Sequence, residues 1–386
     1  MSETKHINKR VFLKKSLLGI AGVILGNKLS GTTIINESPM DTFTKPSKTD
    51  KTIKEAMHYK VVSNGVQCEL CPNYCILKEE KTGLCKTRFN KGVKLFTMAF
   101  GNPCAINSDP IEKKPLYHFY PTSRAFSIAT AGCNFSCLNC QNWDISQVSP
   151  KETRNYDLPP AKVVAEALAN NCKSIAYTYA EPIAFYDYVY ETAKLAREKE
   201  IKNVFISNGY INEKPLRDIA KYLDAANINL KAFDDDVYKK LNGGKLQPIL
   251  NTLKILKEEK VWIEITNLII PSWTDKHEMI KKMCDWLYKN NLHEYPLHFS
   301  KFVPLYKLTH LPVTPVATLE NAKEIALKAG IKYVYIGNVP GNEAENTFCP
   351  KCKNKIIERK GYKIIQNHIK NGKCSLCGEK ISGIFE

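Results

Sequence analysis

Three cysteines lie within eight residues in the segment GCNFSCLNCQNW, at Cys133, Cys137 and Cys140, with the spacing C-x3-C-x2-C. A closed four-iron site uses four cysteine thiolates, whereas three thiolates can bind three irons of a [4Fe–4S] cluster and leave the fourth iron open. Catalytic zinc sites keep one coordination position open for the same reason. The spacing therefore predicts a cluster with one open iron. The alternatives are a structural zinc ion that takes a fourth ligand from elsewhere, or three thiols without a metal.

Eight other cysteines form two groups of four, Cys68, Cys71, Cys75 and Cys85 in the first and Cys349, Cys352, Cys374 and Cys377 in the second. Cysteines separated by two residues are poorly placed for a disulfide and well placed to share one metal. The second group predicts a four-cysteine zinc ribbon with a hairpin across Lys360–Gly361, and an electron-relay cluster is the alternative. The first group suits zinc or a closed iron–sulfur cluster, and the interpretation favours zinc.

Alternating strand and helix patterns begin near Arg124. The seven strand candidates are AFSIAT, SIAYTY, NVFISN, NINLKAF, VWIEITNLII, YPLHFSKF and KYVYIG. Six amphipathic helical segments separate them, so neighbouring strands are expected to be parallel. A doubly wound sheet and a barrel both suit this pattern. Because the span from Ala125 to Gly337 is shorter than the roughly 250 residues of a full barrel, a partial, open barrel is expected.

The first strand candidate leads directly into the three cysteines. Parallel α/β folds carry active groups on the loops that follow the carboxyl ends of their strands, so this loop is a candidate site. Gly132 frees the backbone just before Cys133. The preceding segment, Asp109 to Phe119, has a composition that predicts a loop before the core.

The predicted organisation has four parts: a leader and linker (1–58), an N-terminal four-cysteine region (59–119), a core (120–341) and a C-terminal four-cysteine region (342–386). The leader resembles a twin-arginine export signal with Lys9 replacing the first arginine, and an ordinary amphipathic extension is the alternative. Its apolar run is too short to span a bilayer comfortably. The net charge of +17 comes without an arginine-rich tract, so no nucleic-acid partner is expected.

At Cys133, Cys137 and Cys140 the sequence resembles the radical S-adenosylmethionine (SAM) superfamily. The resemblance implies an enzyme whose open iron binds the amino and carboxylate groups of SAM. Reductive cleavage of SAM then gives a 5′-deoxyadenosyl radical, which abstracts a hydrogen atom from the substrate. The resemblance also implies an electron donor such as flavodoxin or ferredoxin. The superfamily commonly has an aromatic residue before the third cysteine, where this chain has Asn139.

The same resemblance suggests which residues bind SAM. Glu181 in YTYAEP corresponds to the residue that binds the methionyl amino group, and Lys231 in NLKAF is placed to pair with the carboxylate. Ser207 in ISNGY and Asn229, which stands where relatives have aspartate, are expected in the same pocket. His298 in PLHFSKF is expected to stack on or hydrogen-bond to adenine. The alternative for each is an ordinary polar residue at the end of a strand.

The ordered segments CELCPNYCILKEEKTGLCKTRFNKG, DPIEKKPLYHFYP, GCNFSCLNCQNWDISQ, YTYAEP, SNGYI and ENTFCPKC resemble the radical enzyme of the AmmeMemoRadiSam system. That family is related to pyruvate formate-lyase activating enzymes. The resemblance implies a partial (β/α)6-type barrel, modification or activation of a partner protein, and a cytoplasmic location unless the leader directs export or membrane association. Two other functions remain open: a zinc-ribbon nucleic-acid-binding protein and a multi-cluster electron-transfer protein.

Overall fold

The computed structural model of the protein describes residues 52–386. The predicted leader and most of the linker therefore lie outside the described residues. Within the described range, no helix is both long enough and apolar enough to cross a membrane.

The N-terminal region folds as two small antiparallel sheets, each with three strands. Their strands are β1 (Lys54–Glu55), β2 (Tyr59–Val62), β3 (Gly65–Cys68), β4 (Ile76–Leu77), β5 (Arg88–Lys91) and β6 (Lys94–Thr97). One sheet has the order β1-β6-β5 and the other β2-β3-β4. Val66 and Leu95 are fully buried beneath them. Because these strands are only two to four residues long, the region depends on packing against the core and on its cysteines.

The core is a sheet of eight strands. They are β7 (Ala105–Pro110), β8 (Arg124–Ala129), β9 (Ser174–Tyr177), β10 (Lys202–Ser207), β11 (Ala225–Asn229), β12 (Trp262–Ile269), β13 (Leu297–Lys301) and β14 (Val334–Gly337). From β8 to β14 each strand is parallel to the next, in chain order. A doubly wound sheet would reverse its strand order at a switch point, and this sheet does not. The order is that of a partial, open barrel, which confirms the predicted fold class.

Helices connect the parallel strands. They are α1 (Trp143–Ser146), α2 (Pro160–Ala169), α3 (Tyr186–Glu198), α4 (Glu213–Ala220), α5 (Asp235–Val237), α6 (Leu246–Glu258), α7 (His277–Lys289) and α8 (Val316–Lys328). The π-helix Tyr238–Asn242 follows α5 directly. All six predicted helical segments are present. Pro160 opens α2, and Gly330, with φ of +92°, follows α8 at the position where a left-handed residue ends a helix.

The strand β7 corrects the expectation of a loop before the core. Its Asp109 and Pro110 pair with β8 in antiparallel register, and only then does the chain leave the sheet in the short 3₁₀ helix Ile111–Lys113. An edge strand needs to bury only one face, so its sequence AINSDP lacks the continuous apolar run that marks the central strands.

The C-terminal region is a small antiparallel unit. Its strands are β15 (Thr347–Phe348), β16 (Lys355–Lys360), β17 (Lys363–Asn367), β18 (Ile369–Lys370) and β19 (Lys373–Cys374). The strands β16 and β17 form the predicted hairpin, with Gly361 at its turn in a left-handed conformation. Arg359 of β16 is buried and donates to the carbonyl oxygen of Tyr117 at 3.0 Å. The region is therefore joined to the core by buried polar contacts.

Candidate functional site

A cavity of 520 Å³ opens at the carboxyl ends of the parallel strands. The structure brings to its wall every residue that the sequence predicts for cluster and SAM binding, namely Cys133, Cys137, Cys140, Glu181, Ser207, Asn229, Lys231 and His298. All but His298 follow or end the strands β8 to β11, and His298 is the second residue of β13. The convergence arises because parallel strands point their carboxyl ends to one side of the sheet.

The loop that carries the three cysteines begins at Gly132. Its φ of +107° is in the left-handed region, and a Cβ atom there would lie 2.5 Å from the carbonyl oxygen of Cys85. Any larger residue would clash with the backbone of the N-terminal region. N–H groups point at two of the thiols: Phe135 N and Asn208 Nδ2 lie 3.4 Å and 3.9 Å from Cys133 Sγ, and Asn242 Nδ2 lies 3.2 Å from Cys137 Sγ.

The sulfur positions test which metal the three thiols suit. In a tetrahedral zinc site, with Zn–S bonds of about 2.3 Å, the ligand sulfurs are about 3.8 Å apart. Among residues 52–386, Cys133, Cys137 and Cys140 do not form a group whose ligand atoms all lie within 4.8 Å of one another. Thiols that face one cavity at wider spacing suit ligands that bind different irons of one cluster. The residues present therefore suit a [4Fe–4S] cluster better than a single zinc ion.

Glu181 is a buried carboxylate at the floor of the cavity. It accepts hydrogen bonds from Ser207 Oγ at 2.7 Å, from the backbone N–H of Asn208 at 2.8 Å and from that of Ile183 at 3.2 Å. Burial raises the pKa of Glu181 to about 7, although these hydrogen bonds act in the opposite direction. A cationic ligand beside this carboxylate would stabilise its ionised form.

Lys231 supplies a positive charge to the same cavity. Its backbone N–H donates to the hydroxyl of Tyr238 at 2.9 Å, which fixes the turn after β11. Within the part of the chain that the structure describes, no hydrogen-bond acceptor or carboxylate binds its Nζ. Asn229, two residues earlier, donates to the carbonyl oxygen of Ser207 at 3.1 Å and ties the ends of β10 and β11 together. The lysine is therefore free to bind an anionic ligand.

His298 is held firmly in the inner wall of the barrel. Its Nε2 lies 2.7 Å from Glu264 Oε2, and its ring stacks on Tyr335 with a centroid distance of 5.0 Å. Tyr117 meets the same ring edge-on at 4.9 Å. Glu264 occupies Nε2, and Tyr335 and Tyr117 pack against the ring. Only Nδ1 therefore remains for a hydrogen bond to a ligand.

Asn208 is a site residue that the sequence reasoning did not select. Its backbone binds Glu181, its Nδ2 donates to Asn134 Oδ1 at 2.8 Å, and its Oδ1 accepts from the N–H of Tyr210 at 2.8 Å. It thereby links the cysteine loop to the end of β10. Its position directly after Ser207, in the ISNGY segment, is the signal that would have identified it.

A buried ionic cluster forms another part of the cavity wall. Lys114 Nζ lies 2.6 Å from Asp109 Oδ2 and 4.7 Å from the centre of the Tyr179 ring. Burial would raise the pKa of Asp109, but hydrogen bonds from Lys114, Tyr179 and Lys113 lower it to about 2. Lys114 and Tyr179 line the cavity. No periodic pattern in the segment DPIEKKPLY indicates this arrangement, because it depends on β7 lying beside β8.

The C-terminal cysteines converge on one point. All four ligand atoms of Cys349, Cys352, Cys374 and Cys377 lie within 4.8 Å of one another. Cys349 Sγ is 3.6 Å from Cys377 Sγ, and Cys352 Sγ is 3.9 Å from Cys374 Sγ. These separations equal the value of about 3.8 Å expected around one tetrahedral metal ion. The C-terminal group can therefore bind a single metal.

Comparison with known proteins shows the family of the chain. Residues 127–287 match the model of the Radical SAM superfamily. An uncharacterized protein of Methanocaldococcus jannaschii is 46% identical over 332 residues, which cover 85% of this chain and 99% of that protein. The pyruvate formate-lyase 1-activating enzyme of Escherichia coli is 22% identical over 222 residues, covering 53% and 89% of the two chains.

Two further matches cover part of the chain. The 4-hydroxyphenylacetate decarboxylase activating enzyme of Clostridium scatologenes is 22% identical over 170 residues, covering 41% of this chain and 54% of that enzyme. Among solved structures, Streptococcus suis SuiB bound to S-adenosylmethionine matches with a TM-score of 0.45 and 16% identity, covering 62% of this chain and 56% of that one.

Proposed function

From the premise that the chain belongs to the radical SAM superfamily and is related to its activating enzymes, we propose a specific reaction for it. The enzyme cleaves SAM reductively at a [4Fe–4S] cluster bound by Cys133, Cys137 and Cys140, and the 5′-deoxyadenosyl radical abstracts hydrogen from a partner protein. The observation that carries this proposal is the single cavity that joins the three thiols to Glu181 and Lys231.

The two charged side chains of the cavity suit the two charged groups of a methionyl moiety. Glu181 accepts a hydrogen bond from the ammonium, and Lys231 donates to the carboxylate. Ser207 and Asn208 hold the Glu181 carboxylate in place through their hydrogen bonds. Asn229 ties the ends of β10 and β11 together, and Nδ1 of His298 would be available for a hydrogen bond to the adenine.

The substrate in this proposal is a polypeptide. The relatives with assigned names are activating enzymes, whose names identify other enzymes as their targets. The cavity of 520 Å³ is open to the surface and is lined by both polar and apolar side chains. We also propose that the enzyme belongs to the AmmeMemoRadiSam subgroup, acts in the cytoplasm and receives its electron from a flavodoxin or ferredoxin.

We propose that the four C-terminal cysteines bind a structural zinc ion. The support is the sulfur spacing of 3.6 Å and 3.9 Å, which matches one tetrahedral ion. Four thiolates leave no open position, so this ion would stabilise the small C-terminal unit. Tyr362, at the turn of the β16–β17 hairpin, lines the cavity. The zinc would thereby hold one side of the entrance in position.

The test is SAM cleavage by the full-length protein after anaerobic reconstitution with iron and sulfide. With dithionite and SAM, the wild-type protein should form 5′-deoxyadenosine and methionine in equal amounts, measured by liquid chromatography. Cys137→Ala should form none. Cys284→Ala is the matched control, because Cys284 is a buried cysteine in α7, outside the three cysteine groups, and its loss should leave product formation intact.

Two results would overturn the proposal. The first is wild-type protein with a complete cluster that forms no 5′-deoxyadenosine. The second is Cys137→Ala protein with wild-type activity. To test for a polypeptide substrate, the protein should be incubated with SAM deuterated at the 5′ position and candidate partner proteins. Deuterium should enter, or substrate hydrogen should leave, one polypeptide, as mass spectrometry would show.

A further inference from the structure

The N-terminal cysteines enclose a cavity of their own. Cys68, Cys71, Cys75 and Cys85 all line it, and the remaining wall is largely apolar, with Leu70 and Ile183 among its residues. Cys68 ends β3, Cys71 and Cys75 lie on the β3–β4 turn, and Cys85 lies before β5. Four thiols that face one enclosed space form a complete ligand set for a metal site.

The spacing of these thiols differs from that of the C-terminal group. Within residues 52–386, only the C-terminal four have ligand atoms that all lie within 4.8 Å of one another. In that group two sulfur–sulfur contacts measure 3.6 Å and 3.9 Å. Thiolates on the same metal ion must be about 3.8 Å apart. Among the described residues, no three of the N-terminal thiols lie close enough together to share one metal ion.

A cubane cluster meets this condition, because each of its four irons takes one cysteine. A zinc ion would require all four sulfurs to converge on one point, which they do not. We propose that Cys68, Cys71, Cys75 and Cys85 bind a second [4Fe–4S] cluster, closed by four protein ligands.

The surroundings of the cavity suit an anionic cluster. Arg88 is buried, lines the cavity and places NH1 3.7 Å from Cys68 Sγ. Its Nε has no hydrogen-bond partner among the described residues, although its other nitrogens bind Asp187 and the carbonyl oxygen of Met57. Positive charge near ligand sulfurs stabilises the negative charge of an iron–sulfur cluster.

This second site lies next to segments that line the larger cavity. Asn134, the neighbour of Cys133, lines the N-terminal cavity, and Asn73 Nδ2 donates to its carbonyl oxygen at 3.0 Å. Thr87 Oγ1 donates to the carbonyl oxygen of Ala184, three residues after Glu181, at 2.7 Å. The closed cluster therefore supports the loops that carry Cys133 and Glu181. It has no open iron, so it does not bind SAM itself.

Metal analysis of anaerobically reconstituted full-length protein tests the inference. The wild type should contain about eight irons and about eight acid-labile sulfides per chain, together with about one zinc. The triple variant C133A/C137A/C140A should retain about four irons, with the Mössbauer spectrum of a [4Fe–4S] cluster. C71A/C75A should lose about four irons while keeping its zinc, and C284A should match the wild type.

The triple variant keeps the inference falsifiable even if C71A/C75A fails to fold. Triple-variant protein without iron, and wild-type protein with about four irons and about two zinc ions, would each overturn the second cluster. About six irons in the wild type would replace the cubane with a [2Fe–2S] cluster and overturn it as well. The inference rests on the proposed function only for the four irons assigned to Cys133, Cys137 and Cys140. It can fail while 5′-deoxyadenosine still forms, and it can hold while none forms.

Discussion

The N-terminal and C-terminal regions each supply four cysteines, but they arrange them differently. The C-terminal sulfurs converge to 3.6 Å and 3.9 Å, whereas the N-terminal sulfurs line an apolar cavity at wider spacing. Both groups contain C-x2-C pairs, so spacing along the chain does not separate them. The difference teaches that sulfur spacing, which the backbone of the loops sets, decides which metal a site suits. The type and number of the ligands are the same in both groups and do not decide it.

The two regions also attach to the barrel differently. The C-terminal region is joined by buried polar contacts, in which Arg359 and His118 are central. The N-terminal region contacts the cysteine loop through Asn73 and the segment after Glu181 through Thr87. Loss of the C-terminal metal should therefore unfold one peripheral unit, and loss of the N-terminal one should disturb the SAM site.

The largest expected effect is that of C374A/C377A. Structural zinc contributes on the order of 10 kcal/mol to small domains that lack a sufficient core, so the C-terminal strands should unfold while the barrel stays folded. Zinc should fall from about one per chain to none, with iron unchanged. Inductively coupled plasma mass spectrometry and hydrogen exchange of residues 347–381 measure both. If the variant lost iron and kept its zinc, the C-terminal group would bind iron, and the assignment of metals to the two groups would be wrong.

Arg359→Ala should have the next largest effect. The guanidinium donates to Tyr117 O at 3.0 Å and to Thr347 Oγ1 at 2.8 Å, and it lies 4.3 Å from the centre of the Tyr117 ring. Removing it leaves buried acceptors without partners and should lower the free energy of unfolding by about 3 kcal/mol. Urea denaturation measures the change. Arg154→Ala, at an exposed position, is the control and should stay within about 0.5 kcal/mol.

Acid should weaken the C-terminal attachment through His118. Burial lowers the pKa of His118 from 6.5 to about 4, and its ring nitrogens contact Ser382 O and Tyr335 OH. The unfolded chain therefore takes up a proton first, and stability that is present above pH 6.5 is lost as the pH falls toward 4. Between pH 7.5 and 5.5 this group should cost about 1.4 kcal/mol.

The pH effect is measured as the difference between wild type and His118→Gln in urea denaturation at the two pH values. Glutamine does not titrate, so the variant should lack this part of the pH dependence, while effects of acid on the C-terminal cysteines cancel. Equal pH dependence in the two proteins would show that His118 does not couple the C-terminal region to acid.

Thr87→Val should have the smallest effect on stability and should sharpen the contrast with the C-terminal region. The hydroxyl donates to Ala184 O at 2.7 Å, so its loss should cost about 1 kcal/mol. Because Thr87 lies between Cys85 and the loop after Glu181, the variant should also bind SAM more weakly, which isothermal titration calorimetry measures. Thr82→Val, at an exposed position, should change neither. If the Thr87 variant bound SAM with unchanged affinity, the N-terminal region would not influence SAM binding in the cavity.

Several elements of the fold could be predicted from hydrophobic pattern. The seven parallel strands and the six helices between them follow from apolar runs of the right length, and Pro160 and Gly330 mark helix ends. The edge strand β7 escaped prediction, because one-sided burial and the polar sequence AINSDP resemble a loop. Lys114 was not predicted as a site residue either, because its ion pair with Asp109 forms only once β7 pairs with β8.

The sequence by itself determined the ligand types, the three-cysteine spacing at Cys133 and the strand ends that carry Glu181, Ser207, Asn229, Lys231 and His298. Only the tertiary structure decided that these residues share one cavity, that Asn208 joins them, and that the two four-cysteine groups differ in sulfur spacing. The physical reason is that local sequence sets which atoms a loop offers, whereas the distances between those atoms are fixed by packing among segments far apart in the chain.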